Sequence, residues 1–271
     1  MTSVILNTDI VSDSLSLSAT TAASGYPASN LITDKKLSTW RSTAITAQTI
    51  TATFSTSYDV NLVALAHHNL IASSTIRVRL YTLSADVSPI YDSGIITLSH
   101  VQPPPAGFDT NNSLSFGFGG GNYFCNLSDT YSIQKIIVIV ASSGNPDGFI
   151  EIGRLLAGDA IISSKVLYDA GFGYSGLSTQ TLSEAGQKTV ERLPQSKSLS
   201  LSLSNLNATE STEISNLIRR NGSHTPVFIS IFPLSEEQKA RKYEIYGYID
   251  DTQLQYFSHN LERVDLRINE V

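Results

Sequence analysis

The chain has 271 residues, enough for two ordinary domains that each bury a self-sufficient core. Charged residues make up 15%, against a usual value of about 25%, and the formal net charge is −6 with no run of Lys or Arg longer than a pair. These features exclude a basic stripe for nucleic acid and a polybasic contact with anionic lipid. The missing charge is replaced by Ser, Thr and Asn, which suit sheet surfaces and turns. A hydrophobic fraction of 41% argues against global disorder.

A single cysteine, Cys125, leaves no intrachain disulfide and no Cys-based zinc site, as expected for folding in a reducing cytoplasm. Met1–Asn7 lacks a basic segment and a long apolar core, so no signal peptide is expected. The longest apolar run, Ile136 to Ala141, falls far short of the roughly 20 residues that span a bilayer. It predicts a buried strand and no membrane insertion.

In the first half, Gly25, Pro27 and Asn30 mark turns, and Ala28–Ile32 has room for one helical turn before Asp34. Two strands are predicted next, over Gln48–Phe54 and Val60–Ala66, the second mostly apolar. Ile76–Tyr81 alternates, with Arg77 and Arg79 on one face. Ile90–Leu98 reads as a further strand or hairpin, Pro103–Pro105 as an extended loop and Gly117–Gly121 as a flexible segment. After Lys135–Ala141 and the turn Gly144–Gly148, Phe149–Ile152 should close the first domain, leaving Gly153–Asp159 as a short ordered crossing. Many short strands and almost no helix describe an antiparallel β-sandwich.

The order GYPASNLITDKKLSTWRS, ITATFSTSYDVNLVALAHHNL, IRVRLY and FIEIGRLLAGD resembles the discoidin-like (galactose-binding-like, F5/8 type C) jelly roll over about residues 1–160. In many members of that family, loops at one end of the barrel bind sugars or lipid head groups. The cysteine pair of secreted members is missing here, which fits a relative assembled inside a cell.

From Ile161 the pattern changes. Ile161–Tyr168 reads as a strand, Gly171–Gly176 as a glycine-rich turn region and Lys197–Leu203 as a strict alternator. A helix is predicted over about 207–221, with Asn207 and Glu210 as a capping box, Ile214, Leu217 and Ile218 as its apolar stripe, and Gly222 as its stop. Strands follow at Val227–Phe232, Glu244–Ile249 and Arg263–Ile268, with a turn at Asp250-Asp251. The expected architecture is mainly β: a discoidin-like jelly-roll sandwich over 1–158, then a tail-tube-like β-sandwich or barrel with one flanking α-helix over 159–271.

This order, ending in VDLRINE, looks like the tail-tube-type modules of long-tailed bacteriophages, and the IGRLLAGD junction like phage minor-tail and baseplate proteins. The resemblance implies a structural component of a tail tip, assembled in the host cytoplasm and carried on the virion. It implies a homo-oligomeric ring, hexamer or trimer, that buries strands 197–203 and 261–268. Its partners would be tail-tube, tail-tip hub and fibre proteins, with host surface glycans as a further ligand. The usual distal tail protein has its ring domain first; here the order is reversed. The alternative from a different class is a carbohydrate-binding module.

No catalytic constellation appears: there is no nucleophile elbow, Gly117–Gly121 lacks the Lys-Ser/Thr of a phosphate loop, and Cys125 has no evident His partner. No enzyme activity, cofactor or metal is expected. Asp34, Trp40 and Arg41 could form a sugar site in which the indole stacks and the charged groups bind hydroxyls, joined by His67 and Asn69 from the His67-His68-Asn69 cluster. The competing reading makes Trp40 a core residue, Arg41 its edge and Asn69 structural. Arg154 is expected to tie the two domains together.

Overall fold

The computed structural model describes residues 3–6, 9–35, 38–98, 121–163, 165–166, 170–176, 179–182, 187–191, 195–231, 243–258 and 261–271. The first strands are β1 (Ser3–Leu6), β2 (Ser16–Ala19), β3 (Trp40–Arg41), β4 (Gln48–His68), β5 (Thr75–Tyr81), β6 (Tyr91–Asp92), β7 (Ile96–Thr97), β8 (Gly121–Ala141) and β9 (Glu151–Gly158). There follow β10 (Ala160–Ser163), β11 (Gly171–Gly176), β12 (Thr179–Leu182), β13 (Lys188–Glu191), β14 (Gln195–Leu206), helix α1 (Ala208–Asn221), β15 (Val227–Ser230), β16 (Glu244–Ser258) and β17 (Leu261–Glu270). The predicted Pro103–Pro105 loop and Gly117–Gly120 lie outside the described residues.

The chain is mainly β, with antiparallel sheets and one α-helix among the described residues. The first body is one eight-stranded ladder, ordered β3-β9-β4-β8-β5-β6, with β2 added to β4 and β7 to β5. The two strands predicted over 48–66 are a single strand, β4, because bulges between Thr53 and Tyr58 and between Val60 and Leu62 bend it without breaking it. Its first half pairs with the end of β8 and its second half with the start of β8, so both long strands serve both layers of a sandwich. Between the layers lie Trp40, Ile50, Phe54, Val63, Leu65, Val78, Val138, Ile152 and Leu155, all buried.

The second body is a seven-stranded sheet ordered β10-β1-β15-β16-β17-β14-β11, with α1 packed on its inner face through Ile214 and Leu217. Asn207 and Glu210 form the expected capping box: Asn207 Oδ1 accepts from the Glu210 N–H at 2.9 Å, and Glu210 Oε2 accepts from the Asn207 N–H at 2.8 Å. Gly222 terminates the helix at φ +53°. In β14, Leu199, Leu201 and Leu203 enter the core, and the intervening serines face outward.

Five expectations change. Ser3–Leu6 does not belong to the first body: β1 lies between β10 and β15, because Ile5 completes the apolar row of the second sheet. Gly153 does not end a strand, since β9 runs on to Gly158 and Asp159 alone separates it from β10. Gly153 is required there because a Cβ would stand 2.9 Å from the His67 Cβ. Gly171–Gly176 is a strand, with Gly171 and Gly173 opposite Ser200 and Ser198 and the aromatic residues Phe172 and Tyr174 exposed. Asp250-Asp251 is a bulge within β16. Finally, strands 197–203 and 261–268, expected to supply a ring interface, pair with each other inside the sheet, so neither is an open edge.

Lys197 joins three of these strands. Its Nζ donates to the Glu244 carbonyl at 2.7 Å, and its N–H donates to the Glu270 carboxylate at 2.9 Å. Burial lowers the Lys197 pKa from 10.5 to about 8, against the pull of Glu244 and Glu270. Between those values the unfolded chain binds more protons at this site than the folded one, so its contribution to stability rises with pH across that window. Denaturant midpoints from pH 8 to 10.5 should rise more for the wild type than for Lys197→Met; parallel curves would contradict this.

Candidate functional site

The second half of β4 and all of β9 pair in register, Ala64 with Leu156, Leu65 with Leu155 and Ala66 with Arg154. Alternation sends Val63, Leu65, Leu155 and Ala157 into the sandwich and Leu62, Ala64, Ala66 and Leu156 to its outer face. That outer row is covered by Ala160, Phe228 and Tyr246 of the second body, so β4 and β9 are buried on both faces. Asn61 fastens the link: it donates to the Asp159 carboxylate at 3.1 Å and accepts from the Ala160 N–H at 2.7 Å.

Two residues expected to bind sugar lie at this junction. Asp34 accepts from the Tyr246 hydroxyl at 2.8 Å and pairs with Arg154 at 3.2 Å. His67, at φ +58°, packs its ring edge-on to Tyr246, with centroids 6.0 Å apart. Arg154 also donates to Asp9 at 2.9 Å. It stands between the bodies, reaching the second through Asp34 and Tyr246. Burial raises the Asp9 pKa, with Arg154 and the N–H groups of Val11 and Ala157 opposing. Burial also acts to lower the Arg154 pKa, but Tyr246, Asp9 and Asp34 outweigh it and the net shift is upward.

Trp40 is fully buried, and its Nε1–H donates to the Thr21 carbonyl at 3.0 Å. It presents no face to a ligand, so its assignment to a sugar site is corrected: the indole fills the sandwich core and satisfies its one donor internally.

Arg41 and Asn69 are brought together at one end of the sandwich. The Arg41 guanidinium lies between the rings of Tyr26 and Phe149, 4.1 Å from each centroid. It pairs with Glu151 at 2.9 Å, and the other Glu151 oxygen accepts from Thr39 at 2.6 Å. Asn69 exchanges backbone and side-chain bonds with Glu151, donates to Asp147 at 2.9 Å, and is held at its carbonyl by Asn145. Asn69 therefore fixes the loop, and Arg41, Glu151 and Asp147 are its polar groups open to solvent or partly so. Sequence reasoning did not single out Tyr26, Phe149 or Glu151. The available signal was the pair of aromatics flanking turn residues at Gly25-Tyr26-Pro27 and Gly148-Phe149.

Arg77 and Arg79 face outward on β5 and share Asp92, at 2.5 and 3.2 Å. The Arg77 hydrogen bond chiefly holds the Asp92 pKa far below the usual carboxylate range. Cys125 is buried beside the Tyr91 hydroxyl, and burial pushes its thiol pKa up, away from nucleophilic use. Among the described residues no cluster of three His, Cys, Asp or Glu could hold a metal, and no helix is long and apolar enough to cross a membrane.

No family model and no curated protein matches the sequence. Among solved structures, the chain is similar to chitosan-binding module 1 of a Paenibacillus chitosanase/glucanase at 15% identity, covering 56% of this chain and 99% of that one, with a TM-score of 0.41. It is similar to a Clostridium perfringens carbohydrate-binding module in complex with GalNAc-β-1,3-galactose at 12% identity, covering 56% and 100%, with a TM-score of 0.40. A Streptococcus pneumoniae fucose-binding module gives 8% identity, 56% and 98% coverage and a TM-score of 0.38.

The Arg154–Asp9 pair is almost wholly desolvated. Removing one partner of such a pair costs about 3–5 kcal/mol, because the other charge stays buried. Arg154→Ala should lower unfolding stability by that order in chemical denaturation, while Arg77→Ala, at a pair open to solvent, should change it far less. Equal effects would remove Arg154 from its bracing role.

Proposed function

We propose that the chain is a non-enzymatic glycan-binding protein whose sandwich receives a sugar at the end formed by Tyr26, Arg41, Phe149 and Glu151. The observation that carries this reading is the Arg41 guanidinium clasped between two aromatic rings and aligned by a carboxylate. Sugars are bound where fixed planar polar groups meet hydroxyls and aromatic surface meets the apolar ring face. Here the polar groups are fixed before any ligand arrives, so little ordering entropy is lost on binding.

The test pairs a glycan array with calorimetric titration of any sugar that binds. Arg41→Ala and Glu151→Gln should each weaken binding about tenfold or more, a loss of at least about 1.4 kcal/mol. Trp40→Ala should instead destabilise the fold by about 3–5 kcal/mol, as expected of a core aromatic. Silence across the array, or binding indifferent to Arg41 and Glu151, would defeat the proposal.

A second reading, assembly into a larger structure such as a bacteriophage tail tip, draws on the second body. Its sheet ends at β10 and β11, each bonded on one side only among the described residues, and β11 carries Phe172 and Tyr174 at 38% and 61% exposure. Unpaired edges with exposed aromatics are surfaces that association covers. Light scattering on the purified chain, with and without Tyr174→Lys, should show an oligomer that the substitution dissociates; a monomer at every concentration would count against self-assembly.

A further inference from the structure

Behind the Arg41 end of the sandwich runs a chain of buried polar side chains. Ser74 and Ser142 are fully buried, their hydroxyls 2.7 Å apart in one hydrogen bond, and the Ile71 N–H donates to Ser74 Oγ at 3.0 Å. Asn145, only 5% exposed, continues the chain. Its Nδ2 donates to Ser142 Oγ at 3.4 Å and to the Asn69 carbonyl at 3.0 Å, and its Oδ1 accepts from the Asp147 N–H at 3.1 Å. Buried polar groups cost free energy unless they are bonded, and apolar side chains of the same shape can fill such a space at little loss. What a satisfied polar chain adds is one fixed geometry.

The geometry it fixes is that of the clasp around Arg41. Asn69 Nδ2 donates to Asp147 at 2.9 Å and to the Phe149 carbonyl at 3.1 Å, and Asn69 Oδ1 accepts from the Glu151 N–H at 2.8 Å. One side chain thus holds alternate residues of the stretch that supplies the aromatic and acidic partners of Arg41. Asn145 in turn holds Asn69 by its carbonyl and Asp147 by its N–H. The path from Asn145 to the guanidinium runs through Asn69 and then through Phe149 or Glu151.

We infer that Asn145 is a positioning residue of the Arg41 site: without touching a ligand, it sets where the Phe149 ring and the Glu151 carboxylate stand against the guanidinium. A side chain so buried does not meet a sugar, and its effect on binding is preorganisation. Without its bonds the clasp must be ordered when the ligand arrives, at an entropic cost. The inference rests on the glycan reading only for that effect on affinity; the placement of Arg41 is measured without a sugar.

The probe is the Arg41 Nε–H resonance of the whole chain, assigned by its loss in Arg41→Lys. Protons held over ring faces are shifted upfield, and this Nε is buried within the clasp. Asn145→Asp keeps an acceptor for the Asp147 N–H and loses the donor to Asn69, so the resonance should move downfield towards that of free arginine. Val78→Ala, which cuts into the same core away from these loops, should lower stability and leave the resonance in place. An unmoved resonance in Asn145→Asp overturns the inference, as does an equal movement in Val78→Ala. If the buried carboxylate prevents folding, Asn145→Ser is read by the same rule, since it is uncharged and too short to reach the Asn69 carbonyl. For any sugar that binds, Asn145→Asp should also weaken affinity about tenfold; unchanged affinity overturns the inference and leaves the glycan reading standing. A silent glycan array with a displaced resonance defeats the glycan reading and upholds the positioning of Arg41 by Asn145.

Discussion

Burial of the β4–β9 pair on both faces is the constraint on which the rest of the molecule depends. One face closes the sandwich; the other meets Phe228 and Tyr246 of the second body. Fully burying a Leu or Phe side chain contributes about 1.5–3 kcal/mol, so Leu62, Leu156 and Phe228 outweigh any single ion pair at the junction. The desolvated Arg154–Asp9 pair contributes little net energy, since the cost of stripping water from both charges offsets their attraction. Its effect is to link the bodies: Arg154 pairs with Asp9 and Asp34, and Asp34 accepts from Tyr246 of the second body.

The chain path reinforces that orientation. β1 and β10, which flank the whole sandwich in sequence, lie side by side and antiparallel in the second sheet. The first body is thus inserted between neighbouring strands of the second and held at both ends. Two anchored connections, one of them only Asp159, leave far less freedom than a flexible tether between tandem domains.

The consequence for function is a division of surfaces. One layer of the sandwich is spent on the junction, which buries His67 and engages Asp34 with Arg154 and Tyr246. The end carrying Arg41 and Glu151 stays partly open to solvent.

Much of the fold was legible in local pattern. The period-two alternation of KSLSLSL, the capping box at Asn207 and Glu210, and the near-continuous apolar run VNLVALA each follow from elementary packing or hydrogen-bonding rules. That last run is buried on both faces, as a strand apolar on both faces must be. Contacts between segments distant in the chain were not legible. Nothing near Asp34 announces Tyr246, nothing near Tyr26 announces Phe149, and a four-residue strand such as Ser3–Leu6 has no pattern that assigns it to one sheet over another. The sequence by itself determined a β-rich chain with one capped helix, since these depend on neighbours a few residues apart. Only the tertiary structure decided that Trp40 is core, that Asp34 and His67 serve the junction, and that Arg41 and Glu151 pair at one end of the sandwich. Those roles depend on which side chains meet across more than a hundred residues of chain, and local spacing does not encode such meetings.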